Sequence, residues 1–225
     1  MDTDRSTLYT VGYTSFPSPE ELAEVLRGYG IRALVDVRST PYSAHYEQYN
    51  KENIRRVLSK AGISYGNMAL AFGARQEDPA LYKNGRLDFE TVSHSDRFLR
   101  GKRRLEDGID NGYAPVLMCA EKNPIVCHRA ILVARAFHDA GYQVVHILPD
   151  GATKTQTDLE KELLDLYFPE RDQRSLFDGG TLPDEKECLR EAYVKQNDKI
   201  GFREENLSND PLHHRIYEED GGAVL

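Results

Sequence analysis

This chain of 225 residues has few cysteines, no long apolar run and no excess of positive charge. Its three cysteines are odd in number and too few for a disulfide framework, which predicts a reducing, cytoplasmic environment. No apolar run approaches the roughly 18 residues of a membrane-spanning helix. Residues 1–7 are polar and acidic, so we expect no signal peptide. A membrane partner is therefore not expected.

The charge balance is acidic and unevenly spread. The chain has 29 Lys and Arg against 37 Asp and Glu, a formal net charge of −8. That balance excludes broad electrostatic wrapping of nucleic acid or of an anionic membrane. Residues 181–225 carry 11 acidic and 6 basic side chains, so most of the excess negative charge lies there. We predict a weakly ordered acidic tail over 181–225, with one short helix near 185–195.

Predicted strands alternate with predicted helices over residues 8–168. The strands are the apolar segments 8–13, 32–38, 63–70, 115–120 and 143–148. The helices cover about 19–28, 51–61, 88–108, 127–140 and 155–168. The last strand–helix–strand unit has the length of one right-handed crossover. We therefore predict a single α/β domain over 8–168, a three-layer sandwich with a mainly parallel sheet, followed by a linker over 169–180.

A ligand site is expected at the carboxyl ends of these strands, as in other open parallel sheets. That rule selects residues that follow three different strands, namely Gly12, Tyr13, Asp36, Arg38, Cys119 and Glu121. Cys127 and Arg129 are placed at or near the start of the next helix. The convergence of residues distant in sequence is the main evidence for a pocket.

Five segments resemble the bacterial domain-of-unknown-function family 488. They are Thr-Val-Gly-Tyr-Thr from Thr10, Asp-Val-Arg-Ser-Thr-Pro-Tyr-Ser from Asp36, Tyr-Asn-Lys-Glu from Tyr49, Gly-Ile-Ser-Tyr from Gly62, and Met-Cys-Ala-Glu-Lys-Asn-Pro-Ile-Val-Cys-His-Arg from Met118. The resemblance covers roughly residues 8–177. It implies no settled activity, although cysteine-dependent chemistry is a common suspicion for the family. Many members carry a basic residue where this chain has Ala44.

Cys119 and Cys127 lie on either side of one strand-to-helix turn. A helix N-terminus and a nearby arginine lower a thiol pKa, so either cysteine is a candidate nucleophile and the other a resolving partner. The alternative is two small buried hydrophobic side chains. Glu121 is a candidate proton carrier. A metal at Cys119, Cys127 and His128 is the weaker alternative, because no fourth ligand is evident, and we predict no cofactor.

Arginines and free N–H groups predict an anion site. Arg38 and Arg129 are expected to clamp a phosphate or carboxylate beside the N–H groups of residues 125–128, with Asp36 orienting Arg38. Ordinary ion pairs are the alternative role of both arginines. His128 is not expected to pair with the thiol of Cys127, because successive helical residues point in different directions. Further predicted contacts to the anion are Gly12, Tyr13, Ser43 and His128.

The leading hypothesis is a cytoplasmic enzyme that uses Cys119 or Cys127 on a small anionic substrate, such as a nucleotide or a damaged nucleic-acid component. The competing hypothesis is a ligand-sensing adaptor. It depends on Gln173, Leu176 and Phe177, which resemble the peptide by which bacterial proteins dock on the replication sliding clamp. Docking on that clamp would link the protein to DNA repair. A third alternative, an alkyl acceptor, depends on the similarity of residues 126–129 to the Pro-Cys-His-Arg segment of O6-alkylguanine-DNA alkyltransferases.

Overall fold

The computed structural model describes residues 7–171 and 184–209. Its strands are β1 (Leu8–Gly12), β2 (Ala33–Asp36), β3 (Ser64–Asn67), β4 (Tyr82–Lys83), β5 (Arg86–Leu87), β6 (Pro115–Cys119), β7 (Val144–Ile147) and β8 (Thr153–Thr155). Its α-helices are α1 (Pro19–Gly28), α2 (Lys51–Lys60), α3 (Ala69–Phe72), α4 (Phe89–Ser93), α5 (Asp96–Asp110), α6 (Arg135–Asp139), α7 (Gln156–Tyr167) and α8 (Glu185–Ile200). Within these ranges, no helix combines the length and the apolar character needed to cross a membrane.

Six strands form the main sheet, in the order β3-β2-β6-β1-β7-β8. All neighbours pair in parallel except β8, which runs antiparallel to β7 at the edge. The register places Gly12 beside Cys119 and Asp36 beside Met118. Because β2, β6 and β1 are adjacent, the residues that follow these three strands meet at one edge of the sheet.

Helices cover both faces of this sheet, which confirms the predicted three-layer α/β architecture. On one face, α1 and α2 pack against the alternate strand residues Val11, Leu34 and Met118. On the other, α3 to α8 pack against side chains such as Val35 and Leu117. Strands that are covered on both sides are apolar on both sides, which is why their sequences read as continuous apolar runs.

The described part of the predicted tail, residues 184–209, contains the helix predicted near 185–195, but this helix is longer than predicted and is well packed. The 16-residue helix α8 packs on the domain, with Tyr193 in the same core as α7. The side-chain amide of Gln196 donates to the carbonyl oxygen of Ile125 at 2.6 Å, close to the candidate site. Asn197 bonds the backbone of Leu87 and Phe89. Buried amides and a tyrosine anchor this helix, so a shortage of aliphatic residues was a misleading sign of weak order.

The segment after β6 also differs from the regular helix predicted over 127–140. A 3-10 turn over Pro124–Val126 precedes Cys127, whose backbone is extended at φ −128° and ψ 135°. A π-helical stretch then covers Arg129–Ala134 before α6 begins. Such stretches are frequent at functional sites. The extended backbone turns Cys127 toward Cys119 instead of leaving it in a helical turn.

Candidate active site

A buried ion pair follows β2. Arg38 Nε donates to both carboxylate oxygens of Asp36, at 2.9 and 3.1 Å, and Nη2 donates to Asp36 Oδ2 at 2.5 Å. The hydroxyl of Tyr65 donates to the same carboxylate, and the carbonyl oxygen of Tyr49 accepts from Nη2. Burial opposes the charge on Arg38, but Asp36 outweighs it and raises the pKa of the guanidinium. Arg38 therefore stays charged.

One nitrogen of the Arg38 guanidinium takes no part in these hydrogen bonds. Arg38 Nη1 is buried and has no hydrogen-bond partner among the described residues, while the side chain is only 6% exposed. Buried polar groups in folded proteins are almost always bonded, so an unbonded guanidinium nitrogen points to a missing partner. That partner must be an acceptor, because a guanidinium only donates.

A cavity of about 320 Å³ lies beside this nitrogen. Arg38 from the end of β2 and Cys119 from the end of β6 both line it. Thr40 lines it as well, and its hydroxyl is a second buried polar atom without a partner among the described residues. Tyr13, Tyr42 and Ser43 complete the wall on the same side. The cavity thus brings the thiol of Cys119 together with Arg38 and Thr40, each of which has a buried polar atom without a partner among the described residues.

Two cysteines, a glutamate and a histidine converge at the end of β6. The thiols of Cys119 and Cys127 each donate to Glu121 Oε2, with S···O distances of 3.0 Å. Nδ1 of His128 lies 3.8 Å from Cys119 Sγ and 4.0 Å from Cys127 Sγ. His128 Nε2 donates to the carbonyl oxygen of Val37 at 2.9 Å. Since a carbonyl only accepts, this bond places a proton on Nε2 and directs Nδ1 at the thiols. Burial opposes a charge on His128, but the hydrogen bond and the charge of Cys127 outweigh burial and raise the pKa of the imidazole.

This arrangement has the parts of a nucleophile, a base and an orienting group. Cys119 lines the cavity together with Glu121 and His128, whereas Cys127 lies behind them and is 1% exposed. The expectation from the sequence concerned only Cys127, the helical neighbour of His128, and it excluded a pair between that thiol and the imidazole. The structure supplies Cys119 from a different element, so that expectation about His128 requires a correction.

The thiols of Cys119 and Cys127 have pKa values shifted in opposite directions. Burial opposes ionisation of Cys127, but the hydrogen bond from Cys119 and the charges of Arg129 and His128 outweigh burial and lower the pKa of the Cys127 thiol. The same hydrogen bond, together with burial, raises the pKa of Cys119. Burial and the charge of Cys127 raise the pKa of Glu121. Cys119 therefore keeps its proton until a base removes it.

Arg129 holds the turn behind the cysteines instead of lining the cavity. It is fully buried, and its Nη1 and Nη2 donate to the carbonyl oxygens of Glu121 and Lys122, at 2.5 and 3.2 Å. Its Nε donates to Thr10 Oγ1 at 3.4 Å. These bonds turn the guanidinium away from the predicted anion clamp, so only Arg38 of that pair faces the cavity. Arg129 instead places a positive charge close to the thiols, which contributes to the lowered pKa of Cys127.

Gly12 and Ser43 also shape the site. The Ser43 hydroxyl accepts from the backbone N–H groups of His45 and Tyr46, which forms the loop at the cavity wall. A Cβ added at Gly12 would lie 2.0 Å from the carbonyl oxygen of Glu121. Gly12 is therefore needed for the close approach of the turn that carries Glu121, and it does not line the cavity.

Gly12→Ala is expected to lower the free energy of unfolding by about 1–3 kcal/mol, because the added methyl overlaps backbone that cannot move aside freely. Gly28→Ala is the matched control, since an added Cβ there meets nothing within 4 Å. Gly28 lies in the last turn of α1, where alanine is expected to be neutral or to stabilise by up to ~1 kcal/mol. Urea unfolding of the two variants measures the difference. Equal stability of the two would contradict the close approach.

Three contributors to the site carried no usable signal in the sequence. The carbonyl group of Val37 orients His128, and any residue type has such a group. Thr40 lies in the quoted family segment from Asp36, but nothing in that segment distinguished its hydroxyl from those of the neighbouring residues. Tyr65 was part of a quoted family segment, but only the pairing of β2 with β3 places it against Asp36.

Comparison with known proteins gives one match. A family model described as "Domain of unknown function DUF488" matches residues 18–136, more than half of the chain. The match includes Asp36, Arg38, Cys119 and the segment from Glu121 to Arg129, but not α8. No curated protein and no solved structure matches the chain.

Proposed function

Since this chain belongs to the family described as domain of unknown function DUF488, a description that names no activity, we propose a function from the site itself. The protein is a cysteine-dependent hydrolase or transferase that forms a covalent intermediate between Cys119 and a small anionic substrate. The observation that carries this proposal is the buried, unbonded Nη1 of Arg38, a residue that lines the same cavity as Cys119. Nδ1 of His128 lies 3.8 Å from the sulfur of Cys119, where the neutral imidazole can take the proton of the thiol.

In this proposal the substrate's anionic group accepts a hydrogen bond from Arg38 Nη1 and another from the Thr40 hydroxyl. Bonds to a charged donor in a buried site are stronger than neutral ones. The cavity of about 320 Å³ is near the lower end of the range for small-molecule sites. Tyr13 and Tyr42 offer aromatic surface at the wall. A nucleotide or a modified nucleic-acid component combines these features.

The proposed chemistry has two balanced steps. In the first, His128 Nδ1 takes the proton of the Cys119 thiol, a bond forms between sulfur and the electrophilic substrate atom, and the bond to the leaving group breaks. The leaving group takes a proton from Glu121, whose raised pKa suits a donor. In the second step, water or an acceptor alcohol displaces the sulfur of Cys119 and gives its proton to Glu121, while the proton held by His128 Nδ1 returns to the Cys119 thiolate.

The remaining parts of the hypothesis are proposals of the same kind. Free thiols in this chemistry require a reducing compartment, which is consistent with a cytoplasmic location. Recruitment to the sliding clamp, and with it a role in DNA repair, depends on Gln173, Leu176 and Phe177. These three residues lie outside the described residues, so clamp docking stays a prediction.

A pair of matched electrophiles tests the proposal. Iodoacetate is an anion and iodoacetamide is its neutral counterpart, and both alkylate a thiolate with loss of iodide. We expect iodoacetate to label Cys119 at least about tenfold faster than iodoacetamide, relative to their rates with glutathione, because a hydrogen bond to a charged group contributes about 1.5–3 kcal/mol. Peptide mass spectrometry of the reduced, metal-free full chain measures both rates.

The variant for this test removes the charge of Arg38 without leaving a buried charge unpaired. Asp36→Asn with Arg38→Gln replaces the ion pair by two neutral amides, and we expect the preference for iodoacetate to disappear. Arg32→Gln is the control, because Arg32 is an exposed arginine at the opposite end of β2. A wild-type preference no greater than that of glutathione would refute the anion site.

A further inference from the structure

We infer that Cys119, Cys127, His128 and Glu121 together bind one divalent metal ion of the zinc class, and that this ion reversibly blocks Cys119. Metal binding is independent of the proposed function, whereas the blocking of catalysis rests on it. The ligand atoms of the two cysteines and the histidine all lie within 4.8 Å of one another. Glu121 Oε2 adds a fourth donor, 3.0 Å from each sulfur.

The distances between these donor atoms suit tetrahedral coordination. Zinc bonds of about 2.3 Å to sulfur and about 2.0–2.1 Å to nitrogen or oxygen place neighbouring donors about 3.6 Å apart. The S···N distances here are 3.8 and 4.0 Å, and the two S···O distances are 3.0 Å. For these four pairs, shifts of roughly half an ångström would give the spacing of a four-ligand shell. The sequence did not identify Glu121 as the fourth ligand, because it lies only two residues after Cys119.

The orientation of His128 is the one that metal ligands adopt. A coordinating imidazole usually donates its other N–H to a carbonyl or carboxylate, which fixes the ring and raises its basicity. His128 Nε2 donates to the carbonyl oxygen of Val37 and thereby aims Nδ1 at the two sulfur atoms.

The charge around the cluster provides a second, independent argument. Arg129 is fully buried and forms no salt bridge with a carboxylate in the described part of the chain. A buried charge of this kind needs a compensating negative charge nearby, which the thiolate of Cys127 supplies in the metal-free state. A divalent ion with two thiolates and one carboxylate carries a net charge of −1, so the metal-bound state balances Arg129 as well. Thiolate ligands also select zinc-class ions over magnesium or calcium.

A metal ion bound to these four ligands would block Cys119. Cys119, Glu121 and His128 line the cavity, so an ion enters from the substrate side. Coordination replaces the two thiol protons and engages the sulfur lone pair that would attack a substrate. Because all four ligands come from the protein, the ion has no open position for water, and the metal-bound state is inactive.

Cobalt(II) is the probe for this site, because its absorption reports both tetrahedral geometry and thiolate coordination. We expect the reduced, chelator-treated full chain to bind one equivalent with visible d–d bands and a thiolate-to-cobalt charge-transfer band, and zinc to displace it. Cys127→Ser is expected to weaken binding by more than about tenfold, since even the loss of a supporting partner costs 10–100-fold. Glu121→Gln is expected to weaken binding as well. Cys188→Ser removes the third cysteine, which lies in α8, and should leave binding unchanged.

Two results would overturn the metal site: a folded wild-type chain without the charge-transfer band, or equal loss of binding in Cys188→Ser and Cys127→Ser. Circular dichroism confirms folding in each case. One equivalent of zinc should also protect Cys119 from iodoacetamide, and unprotected labelling with the metal bound would contradict the blocking. The two proposals fail separately. Absent cobalt binding with a retained iodoacetate preference rejects only the metal site, and the reverse result rejects only the proposed function.

Discussion

Replacing Asp36 with alanine is expected to lower the free energy of unfolding by about 3–5 kcal/mol, because it leaves the guanidinium of Arg38 buried without its counter-ion. Asp36 is fully buried and accepts from Arg38 and from the hydroxyl of Tyr65. Solvent cannot take over these bonds. Urea unfolding monitored by circular dichroism measures the loss, and a proteolysis assay of the native state should report the same ranking.

The control for this prediction is a carboxylate of the same type in an exposed pair. Asp139 lies 3.5 Å from Arg135 and its side chain is 60% exposed. Asp139→Ala is expected to cost less than about 1 kcal/mol, as exposed pairs do. Replacing Asp36 and Arg38 together by Leu and Met is expected to recover most of the stability, since an apolar pair needs no counter-ion. If Asp36→Ala lowered the free energy of unfolding no more than Asp139→Ala does, the Asp36–Arg38 ion pair would not stabilise the loop that follows β2.

Replacing His128 with asparagine is expected to slow the alkylation of Cys119 by iodoacetamide by about 100-fold at neutral pH, the low end of what a positioned base contributes. Asparagine has an amide near the position of Nδ1 and offers no basic nitrogen to the thiol. The difference should narrow as the pH rises, because hydroxide then removes the proton. Rates come from peptide mass spectrometry with a chelator present, which keeps the result independent of metal.

Two controls accompany the histidine variant. His94→Asn changes a histidine whose side chain is 73% exposed, and it should react like the wild type. The buried Cys188 serves as an internal reporter, because its labelling would rise if the variant unfolded. A folded His128→Asn variant that labels Cys119 at the wild-type rate would remove His128 from the mechanism.

The two cysteines take different roles in both proposals. Cys119 faces the cavity and depends on a base for its ionisation, whereas Cys127 lies behind it next to Arg129. As the metal-free nucleophile, Cys119 reacts while Cys127 holds the negative charge. With a metal bound, both become ligands. The availability of free zinc-class ions would thus set the active fraction of the protein.

Local patterns accounted for most of the secondary structure. Ser18 and Pro19 predicted the start of α1, and the Ser18 hydroxyl indeed accepts from the backbone N–H of Glu21. The apolar run at the end of which Cys119 stands predicted β6. Patterns predicted a short helix near 185–195 but missed the length and the packing of α8, which non-local contacts decide. The helix α8 is held by buried amides and Tyr193, which no periodicity of aliphatic residues reveals.

The sequence by itself determined the fold class and the edge of the sheet that carries the candidate site. It also identified four residues of that site, namely Asp36, Arg38, Cys119 and Cys127. These follow from side-chain periodicity and from the rule that parallel strands direct their carboxyl ends to one side. Only the tertiary structure decided which groups act together. It turned Arg129 inward onto backbone carbonyls and aimed His128 at both sulfur atoms. The physical reason is that hydrogen-bond partners in a buried site come from distant segments, and their positions depend on how the whole chain packs.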